Sequence, residues 1–385
     1  MLSAKTDIVI IGGGIAGLFI LNHLRKQGYQ AILLEKNALG FGQTIASQGI
    51  IHGGIKYALS GEVSNSSLHI SDMPRVWQAC LQGQGGLDLS AVKLLSPHYY
   101  LCSQQKITQR VTQFFAQKAL CSDSDALNPA DYPEFFQTKQ FSGLLTRVHE
   151  CVLDVPSLIN ALAQNMLPFI FKVSDCVLQK DKGEYAVIIT NESNESLMLN
   201  ASQIILTAGE GNHQLFPAAP MQTRPLHMVM LAADNLPAIF VHCVTLSTNP
   251  VLTITSHMTH TGKPIWYLGG QIAEEGIHRD KASQINAAQA LITQQFPWFT
   301  PQNPRWETLS INRAEGENGG KRPESIMIAR QDNVIMAWPT KLTFAPLLAE
   351  KIIPLLQQPS TPYPLELLAA WPKPSLATSP WDHIA

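Results

Sequence analysis

Residues 7–17 read Asp7-Ile8-Val9-Ile10-Ile11-Gly12-Gly13-Gly14-Ile15-Ala16-Gly17, and the context of this run decides the fold. The apolar stretch 7–11 has the character of a strand buried on both faces, as in a parallel sheet. Gly12, Gly14 and Gly17 follow with GxGxxG spacing. Residues 15–26 then show a helical pattern, with Leu18, Ile20, Leu21 and Leu24 apolar, Arg25 and Lys26 in the last turn, and Gly28 as the stop. A second apolar strand, 30–34, closes on Glu35. In such a unit the first glycine permits the tight turn. The second lets the backbone approach a pyrophosphate, and the third lets helix and strand pack closely. The helix N-terminus, at Ile15 and Ala16, turns free N–H groups toward phosphate. Glu35, eighteen residues after Gly17 and followed by Lys36, is placed to accept hydrogen bonds from a ribose hydroxyl. Strand, loop, helix, strand and acid in this order predict a dinucleotide site. A glutamate at that end disfavours a 2′-phosphorylated ribose, and hence NADP.

The next segment reads Gly40-Phe41-Gly42-Gln43-Thr44-Ile45-Ala46-Ser47-Gln48-Gly49-Ile50-Ile51-His52-Gly53-Gly54-Ile55-Lys56-Tyr57. Here the chain resembles the D-amino acid oxidase-like (DAO) superfamily of FAD enzymes. Its glycerol-3-phosphate dehydrogenase and L-2-hydroxyglutarate oxidase branches are the nearest. The matching features are the small-residue loop Thr44-Ile45-Ala46-Ser47 and the following Ile50-Ile51-His52-Gly53-Gly54. The resemblance implies that FAD is the cofactor, that Thr44, Ala46 and Ser47 line the flavin phosphates and ring, and that residues 48–54, with Gly49 and Ile50, pass beside the isoalloxazine.

Two further blocks extend the likeness. Residues 173–178, 185–190 and 197–199 read as successive strands with polar turns, with Val173 at the start and counted among the cofactor contacts. Gln203-Ile204-Ile205-Leu206-Thr207-Ala208-Gly209 is a buried strand whose Ala208-Gly209 end, by resemblance, lies near the FAD. Residues 333–337 form another strand, followed by the loop Trp338-Pro339-Thr340-Lys341-Leu342-Thr343 and an apolar helix over 344–356 with Pro346 in its first turn. The glycerol-3-phosphate dehydrogenase branch has a similar Lys-Leu-Thr loop. By that likeness Pro339, Lys341, Leu342 and Thr343 stand at the flavin's pyrimidine side, where a helix N-terminus favours negative charge on the reduced ring. The family loop is usually glycine-rich before Lys-Leu-Thr, whereas here it is Trp338-Pro339-Thr340, and close backbone approach is less assured.

The implied fold class is α/β. A Rossmann-like FAD-binding domain with a parallel sheet, of the glutathione-reductase-like ββα variant, is interleaved with an α+β substrate domain carrying an antiparallel sheet. The FAD domain is expected from 1–75, 147–218 and 315–360, and the substrate domain from 76–146 and 219–314. In the latter, 238–246, 251–257 and 263–271 read as strands, and 280–296 as a helix stopped by Pro297. The Pro-rich tail 361–385, with Trp371 and Trp381, reads as an extended surface segment.

Bulk properties narrow the function. The 385 residues are 45% hydrophobic and 15% charged, with net charge −2 and no basic run. That disfavours a nucleic-acid partner. Six scattered cysteines, without a CxxC pair, are neither a disulfide framework nor a zinc site. His257 and His260 lack a third ligand, so no metal is expected. No apolar run is long enough to span a membrane, and a cytoplasmic protein is the expectation, with peripheral membrane contact left open.

The superfamily's substrates are mostly small amino or hydroxy acids, so a cation should anchor a carboxylate. Arg313 is the first candidate for bidentate recognition, with Lys321, Arg322 and Arg279 as alternatives. Lys56 stands where the glycerol-3-phosphate branch tends to have arginine, and a lysine keeps the charge but loses the fork. His52 is open to three readings: a base or donor near the flavin, a covalent flavin anchor, or a structural histidine. Tyr267 and Tyr57 are candidates to cover ring or substrate. The expectation is an FAD-dependent oxidase or dehydrogenase acting on a small, carboxylate-bearing molecule by hydride transfer to flavin N5. An FAD-containing tRNA-modifying enzyme and a non-catalytic flavoprotein assembly factor are the rivals.

Overall fold

The computed structural model describes residues 2–53, 65–104, 123–181, 183–245, 249–319, 323–360 and 366–384. Two eight-stranded sheets dominate it. The first has the order Met327–Gln331, Val334–Trp338, Ser196–Leu206, Leu2–Ile11, Ala31–Glu35, Ile170–Lys172, with the hairpin Asp175–Asp181 and Glu184–Thr190 attached to Ser196–Leu206. Its pairings from Val334–Trp338 across to Ile170–Lys172 are all parallel. Ile8, Val9, Ile10 and Ile11 are buried on both faces of the central strand, as a parallel sheet covered on both sides requires. The helix Ile15–Lys26 starts at Gly14 and carries His23, Arg25 and Lys26 in its last turn, where the charges of Arg25 and Lys26 complement the helix dipole. Gly28, at φ +87°, turns the chain back into the sheet.

The second sheet runs Arg305–Gly316, Met221–Ala232, Pro264–Gly269, Leu252–Met258, Phe240–Cys243, Tyr99–Ser103, Leu144–Val148, Ser124–Ala126. It is antiparallel except where Phe240–Cys243 lies parallel to Tyr99–Ser103. The helix Lys281–Gln295, capped by the Asp280 side chain, packs behind it. Mixed α/β architecture with a parallel and an antiparallel sheet is therefore what the sequence led one to expect.

The details differ in instructive places. The strands expected at 197–199 and 203–209 are one strand, Ser196–Leu206, which ends before Thr207 and is continuous because exposed Asn200 and Ser202 keep its two-residue alternation. Residues 173–174 are a break between Ile170–Lys172 and Asp175–Asp181. The helix expected over 344–356 is confined to Ala345–Ile352, with short turns at Leu342–Phe344 and Ile353–Leu355; Pro354, having no N–H, cannot continue the α-helical ladder. The long strand Met221–Ala232 escaped the sequence reading because Pro225 interrupts it. Pro225 lies in the half that pairs only with Arg305–Gly316, an edge where a missing donor is tolerated.

The tail is the clearest correction. It does not simply lie on the surface. Leu368 and Trp371 are buried in the core of the first sheet, and Trp381 is buried against the second, with Met228, Ile265 and Tyr267. Between them, Leu39 N–H donates to Ser375 O and Ala377 N–H to Leu39 O.

Candidate active site

The glycine loop is built by the convergence of three strand ends. Gly12 N–H donates to Leu34 O, and Thr207 N–H to Ile11 O. The Thr207 hydroxyl donates to Gly12 O at 2.9 Å. Gly12 sits at φ +111°, and a Cβ there would stand 2.6 Å from the Ala208 backbone. Thr207 and Ala208 thus form the floor directly behind the loop. A Cβ on Gly17 would meet Gly12 O at 2.0 Å. Gly14 is different, since a Cβ there would meet only Thr44 Oγ1, at 3.1 Å. Its outer side is open, as a cradle for a bound group must be. Thr44 Oγ1 accepts from Ile15 N–H at 3.0 Å, so this hydroxyl serves the helix N-terminus.

The Glu35 carboxylate accepts from the Gly13 and Asn37 amides, each at 2.6 Å. Burial pushes its pKa up, while the backbone N–H groups of Asn37, Gly13 and Lys36 oppose that shift. Val173 is buried, with its N–H on Glu35 O. Lys36 extends away to an exposed pairing with Asp175 at 3.6 Å.

A cavity of about 290 Å³ opens beside this region. Part of its wall is Gln43 and residues 46–50, with His52; another part is residues 340–343. These two segments are tied together at Thr343, whose hydroxyl accepts from His52 N–H at 3.0 Å and whose carbonyl accepts from Trp77 Nε1 at 2.9 Å. Thr340 takes φ +64°, buried, with its hydroxyl on Ser325 O. The position thus adopts the left-handed conformation that a glycine-rich loop would supply. Lys341 N–H donates to Pro339 O at 2.6 Å, and the Lys341 ammonium lies 5.5 Å from the Phe344 ring centroid.

The rest of the wall comes from the second sheet, including Tyr99, Met228, His242, Ile311 and Arg313, and from Glu274 in the short helix Gln271–Glu275. The His52 ring stacks on His242 at 5.5 Å, and Tyr99 meets both edge-on. Arg313, 15% exposed, reaches Glu274 Oε1 with both terminal nitrogens at 3.4 and 3.5 Å. Behind it, Arg224 is paired with the buried Glu315 at 3.2 Å. The sheet is clamped to the loop through Gln43 Oε1, which accepts from Ala314 N–H, and Gln48, whose amide donates to Tyr267 O.

A family model described as FAD dependent oxidoreductase, DAO, matches residues 7–350. The chain belongs to the DAO family of FAD-dependent oxidoreductases. The probable FAD-dependent oxidoreductase PA4991 of Pseudomonas aeruginosa is 39% identical over 388 residues, covering 98% of each chain. Its crystal structure superposes with a TM-score of 0.84, covering 100% of this chain and 99% of that one. Iminodiacetate oxidase from Chelativorans sp. BNC1 shares the fold, with a TM-score of 0.68 at 14% identity over 96% of this chain and all of that one. Glycerol-3-phosphate dehydrogenase 1 of Mycobacterium tuberculosis is 40% identical over 57 residues, 15% of this chain and 11% of that protein.

The cofactor is FAD, and the residues present fit it. The Gly14 cradle is open on its outer side. Ser47 Oγ, cut off from solvent, has no hydrogen-bond partner among the described residues, which is what a hydroxyl reserved for a bound group leaves behind. Bound FAD supplies a hydride acceptor.

Of the residues singled out in sequence, His52, Arg313, Ala46, Ser47, Gly49, Ile50, Lys341, Leu342 and Thr343 share the cavity. Tyr267 does not line it. That side chain is fully buried, and its hydroxyl donates to Ala46 O at 2.9 Å, fixing the loop from behind. Arg279 pairs with Glu275 away from the cavity. Lys56, Tyr57, Lys321 and Arg322 lie outside the described residues. Tyr99, His242 and Glu274 carried no motif. Only the pairing of strands far apart in sequence brings them here.

Proposed function

We propose that this FAD enzyme is an oxidase or dehydrogenase that takes a small, carboxylate-bearing amino or hydroxy compound into the cavity, with Arg313 as the carboxylate anchor. The observation that carries this reading is the Arg313 guanidinium on the same cavity wall system as Ser47–Ile50 and residues 341–343. The Arg313–Glu274 contacts, at 3.4–3.5 Å, are longer than the roughly 2.7–2.9 Å of a strong charge-assisted bond. Such a loose pair leaves the fork able to exchange Glu274 for a substrate carboxylate. Iminodiacetate oxidase, named for a dicarboxylate amine, shares the fold and supports the substrate class. We also propose the domain division 1–75, 147–218 and 315–360 for FAD and 76–146 and 219–314 for substrate.

The test is anaerobic bleaching of the bound flavin by glycine, sarcosine, iminodiacetate, proline, lactate, 2-hydroxyglutarate and glycerol 3-phosphate. At least one carboxylate should bleach it. With that compound, Arg313→Lys should raise KM about 10- to 100-fold, since a charged hydrogen-bond pair contributes roughly 1.5–3 kcal/mol. Flavin reduced by dithionite but by nothing in the panel, or an unchanged KM in Arg313→Lys, refutes the proposal.

A further inference from the structure

Glu150 is a buried carboxyl, 5% exposed, one side chain behind the cavity wall. Its Oε2 accepts from the Tyr99 hydroxyl at 2.9 Å, and the Gly53 amide also donates to it. Tyr99 itself lines the cavity, in contact with the His52 and His242 rings. Glu150 forms no ion pair among the described residues. Burying an acid without a counter-ion is costly, and the Tyr99 and Gly53 hydrogen bonds offset only part of that cost, since burial outweighs them in holding the carboxyl's pKa up. Packing alone therefore does not favour an ionisable group at this position.

We propose that Glu150, acting through the Tyr99 hydroxyl, receives the proton that the substrate's N–H or O–H group releases on oxidation. This rests on the reading that the cavity holds the substrate. The balance is complete: the substrate C–H hydrogen leaves with its electron pair, which FAD accepts when bound. The electron pair of the N–H or O–H bond becomes the new C=N or C=O bond. The freed proton goes to Tyr99 Oη, whose own proton passes to Glu150 Oε2, leaving Tyr99 neutral throughout.

The groups around the acid agree with that role. Burial holds the Glu150 carboxyl up at about 7, opposed by the Tyr99 and Gly53 hydrogen bonds. A base is most effective with a pKa near the working pH. The neighbouring Cys151 thiol is pushed by burial up to about 12 and stays neutral. Burial first, then the Glu150 charge, raises Tyr99 well above its ordinary value. His52 and His242 face Tyr99 on its cavity side, and the helix Asn65–Leu81 contributes the apolar Pro74 against Gly53.

Two measurements on the holoenzyme test this. In anaerobic bleaching with sarcosine and with lactate, the wild-type rate should rise about tenfold from pH 6 to pH 8, following ionisation of one group. Glu150→Gln should keep its flavin, lose roughly 10²- to 10⁴-fold in rate and show no rise over that window. Tyr99→Phe should be slowed similarly. Infrared difference spectra between pH 6 and 8 should show a protonated-carboxyl band that Glu150→Gln lacks. In Tyr99→Phe that band should persist to higher pH, because the phenol bond to the carboxylate is gone. Glu150→Gln bleaching at the wild-type rate with the wild-type pH profile overturns the proposal. If no compound of the panel bleaches the wild type, the substrate class fails, and the proton step, which needs the substrate's N–H or O–H group, falls with it.

Discussion

Gly14→Ala separates the cost of a methyl group to the fold from its cost to FAD. Gly14 has φ −76° and ψ −174°, extended backbone that alanine adopts without strain. The added Cβ meets only Thr44 Oγ1, at 3.1 Å, so a hydroxyl must give by a few tenths of an ångström. Alanine also narrows the unfolded ensemble, a gain of about 0.4–1 kcal/mol. The apoprotein should therefore keep its stability to within about 1 kcal/mol. On the ligand side, the proposed cradle brings the pyrophosphate to this helix N-terminus, where the methyl would stand. Losing two charge-assisted N–H contacts to phosphate, at roughly 1.5–3 kcal/mol each, amounts to about 3–6 kcal/mol. That is about a 10²- to 10⁴-fold loss of FAD affinity at tenfold per 1.4 kcal/mol. Gly17→Ala is the control: its Cβ would sit 2.0 Å from Gly12 O, so the fold itself must move. The assay is calorimetric titration of deflavinated protein with FAD, with melting of the apoprotein in parallel. FAD affinity within threefold of wild type in Gly14→Ala would refute the cradle. So would an apoprotein destabilised as much as Gly17→Ala.

Tyr267→Phe removes the hydroxyl from Ala46 O and leaves a buried carbonyl unpaired, costing about 1–3 kcal/mol in denaturant unfolding. Because Tyr267 does not line the cavity, KM should not change, and a change in KM alone would return it to the substrate side. Trp381→Ala empties a site between His257, on which the indole stacks at 3.9 Å, and Tyr267; it should cost about 3–5 kcal/mol, and a loss below 1 kcal/mol in urea melts would mean the tail is not docked in solution. His257, fully buried, is held by burial down at about 3. The unfolded chain takes up a proton as pH falls through about 6.5 while the folded imidazole refuses it. Stability should therefore drain from pH 6.5 downward, by at most about 4–5 kcal/mol. His257→Gln should flatten the slope between pH 6.5 and 4, and an unchanged slope would assign the acid lability elsewhere.

What could be read from residues alone was the part of the protein where sequence neighbours are also neighbours in space. The unit Asp7–Glu35 is continuous, Gly17 answers to the Gly12 carbonyl within it, and its buried parallel strands are apolar over Ile8–Ile11 and Ala31–Leu34, so pattern and packing report the same thing. The tail misled because composition reports average polarity, while burial is decided by Leu368, Trp371 and Trp381 individually. The loop before Lys341 misled in the same way: residue type argued against a glycine-like conformation, yet burial and the Ser325 carbonyl hold Thr340 at φ +64°. Such a conformation costs roughly 1–3 kcal/mol for a non-glycine residue, and only the surroundings of the finished fold can offset it. The cavity is the limiting case. His242 stands against Tyr99 because Phe240–Cys243 runs parallel to Tyr99–Ser103, and Arg313 stands beside Arg224 because the two pair across two twelve-residue strands. Register sets both juxtapositions, and a one-residue slip would turn each side chain to the opposite face. A strand interrupted by Pro225, its outer half polar, announces neither its existence nor its register. The proposed substrate contacts are thus written in pairings between segments that carry no motif of their own, while the proposed cofactor contacts sit in segments that do.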